Sequence, residues 1–97
     1  MPTYIILGNL TDQGMRNIKD SPKREKAFRD LCETAGVRVK DAYRTMGRYD
    51  LALIVDAPDD VTVNAILYSV GSLGSIRTET LRAFTQQETQ AALAKIA

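Results

Sequence analysis

Gly47-Arg48-Tyr49-Asp50 runs without a break into Leu51-Ala52-Leu53-Ile54-Val55, and this junction decides the fold. A glycine free to take positive φ, an aromatic residue and then a carboxylate at the mouth of an apolar run end a hairpin turn and start a central strand, Asp50 to Asp56. On the other side of the turn, Val37 to Met46 reads as the partner strand. There Val37, Val39 and Tyr43 alternate with Arg38, Lys40 and Arg44, while Asp41 and Ala42 blur the alternation, as expected of an edge strand.

The rest of the chain extends this hairpin on both sides. Thr3-Tyr4-Ile5-Ile6-Leu7 is β-branched and aromatic and predicts strand one, ended by Gly8-Asn9. A loop or one short helical turn over Thr11-Asp12-Gln13-Gly14 leads to Ser21-Pro22, an N-cap followed by a proline whose missing N–H costs nothing there. Ala27, Phe28, Leu31, Cys32 and Ala35 then recur at three and four as one helical stripe, and Gly36 stops it. After the hairpin, Asp59-Asp60 opens a second helix carrying Val61, Ala65, Ile66, Leu67 or Tyr68, and Val70, ended by Gly71. Ile76 to Phe84 is a mixed, edge-like strand four. Thr85-Gln86-Gln87-Glu88 has capping-box spacing and predicts a last helix from Gln86 to about Ile96.

Strands one and three are apolar at successive positions, whereas strands two and four are mixed. Placing the doubly apolar pair at the centre gives an α+β, ferredoxin-like βαββαβ domain over residues 1–97, with a four-stranded antiparallel sheet of order 4-1-3-2. Right-handed crossovers put both long helices on one face. The other face then exposes the second set of apolar side chains of Tyr4 to Leu7 and Leu51 to Val55. At about 1.5–3 kcal/mol for each large side chain left wet, the forfeited burial rivals the net stability of a small domain. The C-terminal helix offers only Leu93 and Ile96 among alanines and is too thin to cover four strands. The expectation is therefore a homodimer joined through the open sheet face, with the last helix capping one rim or reaching the partner.

Composition excludes several function classes. The 97 residues suffice for one domain, and 13 Lys and Arg against 12 Asp and Glu leave a net charge of +1, too little to steer the molecule globally to nucleic acid or a membrane. The longest apolar runs are far below the ~20 residues of a bilayer span, and the first ten residues lack a signal-peptide pattern, so a cytoplasmic protein is expected. With no histidine and one cysteine, neither a zinc cluster nor a Ser-His or Cys-His nucleophile pair can be assembled. Neither metal nor cofactor is expected, and Cys32 reads as a core thiol.

Beyond these patterns, the chain resembles the GYD domain family over almost its full length. The resemblance rests on Tyr4-Ile5-Ile6-Leu7-Gly8-Asn9-Leu10-Thr11-Asp12-Gln13-Gly14, on Ile18-Lys19-Asp20-Ser21-Pro22-Lys23-Arg24, on the Gly47-x-Tyr49-Asp50 tetrad and on Gly71 to Phe84. It implies a dimeric α+β barrel and no established general activity. The tetrad alone also looks like the corresponding turn in the effector-binding domains of leucine-responsive transcription regulators, which hold amino acids at subunit interfaces.

The residues able to contact a small organic ligand are Asn9 at the end of strand one, Tyr43 on strand two, Tyr49 and Asp50 at the hairpin, and Arg77 on strand four. Asp50 could act as a base if desolvated, Tyr43 or Tyr49 as phenolic donors, and Arg77 as a fork for a carboxylate. Against this, a turn Asp usually accepts backbone N–H bonds, a turn Tyr packs on the sheet edge, and Arg77 beside Glu79 is often a solvated pair. Gly71-Ser72-Leu73-Gly74-Ser75 follows a helix end and so lacks the aligned dipole of a phosphate loop. The basic cluster Arg16, Lys19, Lys23, Arg24, Lys26 and Arg29 has no interleaved aromatic to stack a base and reads as a solvated face or a docking surface for an acidic partner. Three functions remain: an oligomeric ligand-binding or sensing module, with these residues around a pocket between sheet and helices; a small cofactor-independent enzyme of oxygenase, isomerase or decarboxylase type; and a structural assembly subunit.

Overall fold

In the computed structural model, which describes residues 1–97, the elements follow the order β1 (Thr3–Leu10), α1 (Asp12–Arg16), a 3₁₀ turn (Ile18–Asp20), α2 (Ser21–Thr34), β2 (Arg38–Arg44), β3 (Leu51–Asp56), α3 (Asp60–Gly71), β4 (Ile76–Ala83) and α4 (Gln86–Leu93). The strands form one antiparallel sheet of order β2-β3-β1-β4, the expected order counted from the other edge. β1 pairs Ile6 with Leu53 on one side and with Thr80 on the other. Because successive side chains alternate faces, Tyr4, Ile6, Gly8, Leu51, Leu53 and Val55 point one way, and Ile5, Leu7, Asn9, Ala52 and Ile54 the other.

The first set faces α2 and α3. Tyr4, Ile6, Val55, Cys32, Val37, Ala57, Val63 and Ile66 form the buried core, flanked by Phe28, Leu31, Leu53, Leu67 and Val70. Cys32 is packed into this core, where desolvation pushes its thiol pKa up to about 11. Two N-caps hold the helices on their strands as the sequence implies. Asp59 accepts the Thr62 N–H at 2.8 Å at the start of α3. At α4, Thr85 and Glu88 exchange both bonds of a capping box, at 3.1 and 3.0 Å.

The structure corrects several expectations. Ser21 is the first residue of α2 rather than its N-cap, and the last helix ends at Leu93 instead of about Ile96. The sheet is open rather than a barrel: β2 and β4 are free edges and do not pair with each other. Four strands are half the number that closes a small barrel, and Arg38, Lys40, Arg77 and Glu79 keep the two edges hydrated. Next, Val39 and Tyr43 lie on opposite faces instead of one. The register slips between Val39 and Asp41, and this bulge turns Ala42 and Arg44 toward the helices and Asp41 and Tyr43 away, which is the physical origin of the blurred alternation. Finally, Val61 and Tyr68 are solvent-facing at 78% and 72% exposure; of the expected stripe Ile66, Leu67 and Val70 meet the sheet, joined by Val63.

The opposite face of the sheet carries no helix. α4 does not fold back over it: α4 contains no buried residue, and Leu93 and Ile96 are 58% and 71% exposed. The molecule is accordingly long, 51 × 31 × 19 Å. No helix is long and apolar enough to cross a membrane.

Candidate functional site

The tetrad at the hairpin is a structural clasp. Gly47 has φ +108°, a left-handed conformation that a side chain resists, and it lets the chain reverse. Asp50 then docks the turn onto the neighbouring strand: its backbone N–H donates to the Gly8 carbonyl at 2.8 Å, and its carboxylate accepts the Leu10 N–H at 2.9 Å. Thr45 closes the loop by donating its hydroxyl to the Tyr49 carbonyl at 2.6 Å. The Tyr49 hydroxyl donates to Glu79 at 2.6 Å, across the open face from the hairpin turn to β4. That bond raises the Tyr49 pKa, so the phenol stays protonated and acts as a donor, not a base.

By register, Asn9 sits opposite Arg77, and Leu7 lies between Glu79 and Ala52, which in turn pairs with Tyr43. The structure thus brings Asn9, Tyr49 and Arg77 to the open face, around an apolar centre of Ile5, Leu7, Ile54 and Leu81 and away from the pocket expected between sheet and helices; Tyr43, on the edge strand, shares this face and also borders that pocket. Asp50 stands at the margin with its carboxylate turned to the end of β1.

A cavity of about 250 Å³ lies on the other side, between the sheet, α2 and α3. Ile6, Leu51, Leu53 and Ile76 form its floor, and Phe28, Leu31, Leu67 and Val70 its roof. Gly8 shapes the floor, because a Cβ there would meet Leu51 Cδ1 at 2.8 Å and Ile76 Cδ1 at 2.9 Å and drive both side chains from their places. The mouth is polar. Ser21, buried at the first turn of α2, accepts a hydrogen bond from Arg44 on β2. Arg24 donates to the carbonyls of Asn17 at 3.0 Å and Gly14 at 3.4 Å. Glu25 is the one carboxylate of the lining, and it is exposed.

A shallower recess separates α3 from β4, where the Tyr4 hydroxyl donates to Asp60 and the Arg82 guanidinium lies 5.7 Å from the Tyr4 ring centre. The Asp60 hydrogen bond, followed by burial, raises the Tyr4 pKa. Neither this clasp nor the Ser21–Arg44 bond was read from the sequence. A buried tyrosine at a helix-facing position needs a partner for its hydroxyl, and that was the available signal. The Gly71–Ser75 connector is engaged internally: the Gly74 carbonyl accepts the Thr11 hydroxyl at 2.6 Å and the Ser75 carbonyl accepts the Thr11 N–H at 3.0 Å. Within the basic cluster, Lys26 pairs with Asp30 at 2.8 Å and Arg29 with Glu25 at 4.0 Å, both along α2.

A model of the GYD domain matches residues 4–93. The chain belongs to the GYD domain family. One relative of this GYD protein is the "glutamine synthetase and cystathionine beta-lyase binding protein" of Thermus thermophilus, 39% identical over 84 residues, which are 86% of this chain and 88% of that one. Among solved structures, TTHA0845 from Thermus thermophilus superposes with a TM-score of 0.62 at 25% identity, covering 88% of this chain and 95% of that one. The leucine response regulatory protein LrpA of Mycobacterium tuberculosis gives a TM-score of 0.62 at 14% identity over 88% of this chain and 51% of its own, a likeness of fold alone.

Proposed function

We propose that this GYD protein is a binding and sensing module that acts as a homodimer and holds a small organic molecule in the cavity between sheet and helices. The observation that carries the reading is the preformed apolar cavity of about 250 Å³ with serine and arginine side chains gathered at its mouth. Small-molecule sites have this build: a mostly apolar wall that supplies affinity and a few polar groups that fix orientation. Catalysis has less support, since the lining offers no carboxylate shielded from water to serve as a base. A thermal-shift screen with amino acids, organic acids and neutral analogues tests the reading. Stabilisation by a subset, abolished in Val70→Trp, is the expected result; no stabilisation by any compound would refute it.

The second copy docks on the open face. Ile5, Leu7, Ile54 and Leu81 form an apolar centre with no helix over it, and two such sheets stack well face to face. Asn9, Tyr43, Tyr49 and Arg77 at one end of that face would then lie at the subunit boundary, across the sheet from the cavity, where they are placed to contact the partner copy. Mass measured by light scattering decides this point.

A second reading comes from the Thermus thermophilus relative, whose name records binding to two metabolic enzymes. By that likeness the module docks on an enzyme and conveys the state of its cavity. Passage over immobilised purified glutamine synthetase, with retention expected and free elution contradicting it, is the test.

A further inference from the structure

Resting on the cavity reading above, we propose that the ligand is an organic monocarboxylate with an aliphatic or aromatic body and no ammonium group, its carboxylate held at the mouth by Arg44, Arg24 and Ser21. Two observations carry this. First, both mouth arginines lack an anionic partner. The four ion pairs of the molecule are Lys26–Asp30, Arg29–Glu25, Lys40–Asp56 and Arg82–Glu88, whereas Arg44 bonds a hydroxyl and Arg24 two backbone carbonyls. Each guanidinium has five N–H donors, so both keep free donors beside an apolar chamber. Ser21, now an acceptor, retains its own O–H to donate. An anion receiving these bonds is held by charge-assisted contacts, and the planar fork of arginine matches a carboxylate.

Second, the lining holds no free anion to pair with a second charge, only hydroxyls such as those of Ser69, Ser75 and Thr78 among its apolar side chains. A zwitterionic amino acid would carry its ammonium into or beside the apolar lining, where it needs an acceptor. The candidate carboxylate, Glu25, is exposed and faces Arg29. The Gly14 and Asn17 carbonyls are occupied by Arg24. The chamber therefore suits the carbon skeleton of a branched or aromatic acid stripped of its amine.

The test is calorimetric titration of the intact protein with 4-methylpentanoate and phenylacetate, and with leucine and 4-methylpentanamide as controls for the ammonium and the charge. The expected result is at least tenfold tighter binding of the two acids than of either control. Arg44→Gln should lose at least tenfold for the acids and leave the amide unchanged, with Arg24→Gln as a second variant should Arg44→Gln unfold. If amide and acid bind equally in the native protein, the carboxylate assignment falls and the cavity reading stands. If leucine binds as tightly as 4-methylpentanoate, the exclusion of the ammonium falls. If none of the four probes binds, the monocarboxylate assignment falls; the cavity reading falls with it only if the broad screen also finds no compound that Val70→Trp excludes.

Discussion

Replacing Asp50 by alanine separates a structural clasp from a ligand-binding carboxylate. In the structure the Asp50 side chain accepts the Leu10 N–H at 2.9 Å and pins the hairpin to the last residue of β1. A hydrogen bond to a charged group is worth about 1.5–3 kcal/mol when the abandoned donor cannot find water. Leu10 is half-buried, so water replaces part of that, and Asp50→Ala should cost about 1–2 kcal/mol. For a domain of this size that lowers Tm by about 5–15 °C. Asp50→Asn keeps an acceptor oxygen in the same place and should lose less than half as much. Urea unfolding followed by far-UV circular dichroism measures all three proteins, with an unchanged m-value confirming that only the native state moved. Native-like stability of Asp50→Ala together with loss of ligand-induced stabilisation would refute the clasp and make Asp50 a binding residue.

Leu7→Lys places a charge in the apolar centre of the open face and should weaken the proposed homodimer at least a hundredfold while leaving the fold intact, as read by sedimentation equilibrium; a dimer undisturbed by it would locate the interface elsewhere. Tyr4 bound to Asp60 has a raised pKa, so the unfolded chain releases its proton first. Its contribution is therefore complete below pH about 10 and declines as pH rises from there through the folded pKa. Denaturation between pH 8 and 11 should show a fall that Tyr4→Phe flattens. Glu88 is held below the ordinary glutamate range, chiefly by the Thr85 N–H and then by Arg82. Its contribution is present above pH about 4.3 and is lost as pH falls through the folded value; Glu88→Gln should remove that dependence. Cys32, buried and with its pKa at about 11, should resist iodoacetamide at pH 8 until the chain unfolds, and the labelled fraction should track urea unfolding.

The topology was legible because two strands apolar on both faces can only be central, and Leu51–Val55 and Tyr4–Leu7 meet that condition without exception. Helix ends were legible where a cap has a local code, as at Asp59 and Thr85. What escaped depends on contacts remote in sequence. The bulge at Lys40 is one residue of slack, invisible until Val39 and Tyr43 are paired with β3. The α3 stripe was legible at Ile66, Leu67 and Val70, but Val61 reads as its member in place of Val63 because two valines two positions apart look alike until the helix is docked. The site candidates were chosen for their chemistry at turns and strand ends, and the structure gathers most of them on the open face. The arginines bordering the cavity, by contrast, were read as part of a basic helix face and an alternating strand. Only the crossing of α2 over β2 brings Ser21 to Arg44, and no local pattern announces a contact across 23 positions.

The helix that stands clear of the fold also governs how the molecule travels in solution. A chain of this length packed as a sphere has a radius of gyration of about 12.5 Å, and this one reaches 14.8 Å with its greatest dimension well over twice its least. Friction follows shape, so a lone subunit diffuses slowly and leaves a gel column early, at a Stokes radius that calibration against spherical standards would assign to a heavier particle. Early elution would thus be no proof of pairing.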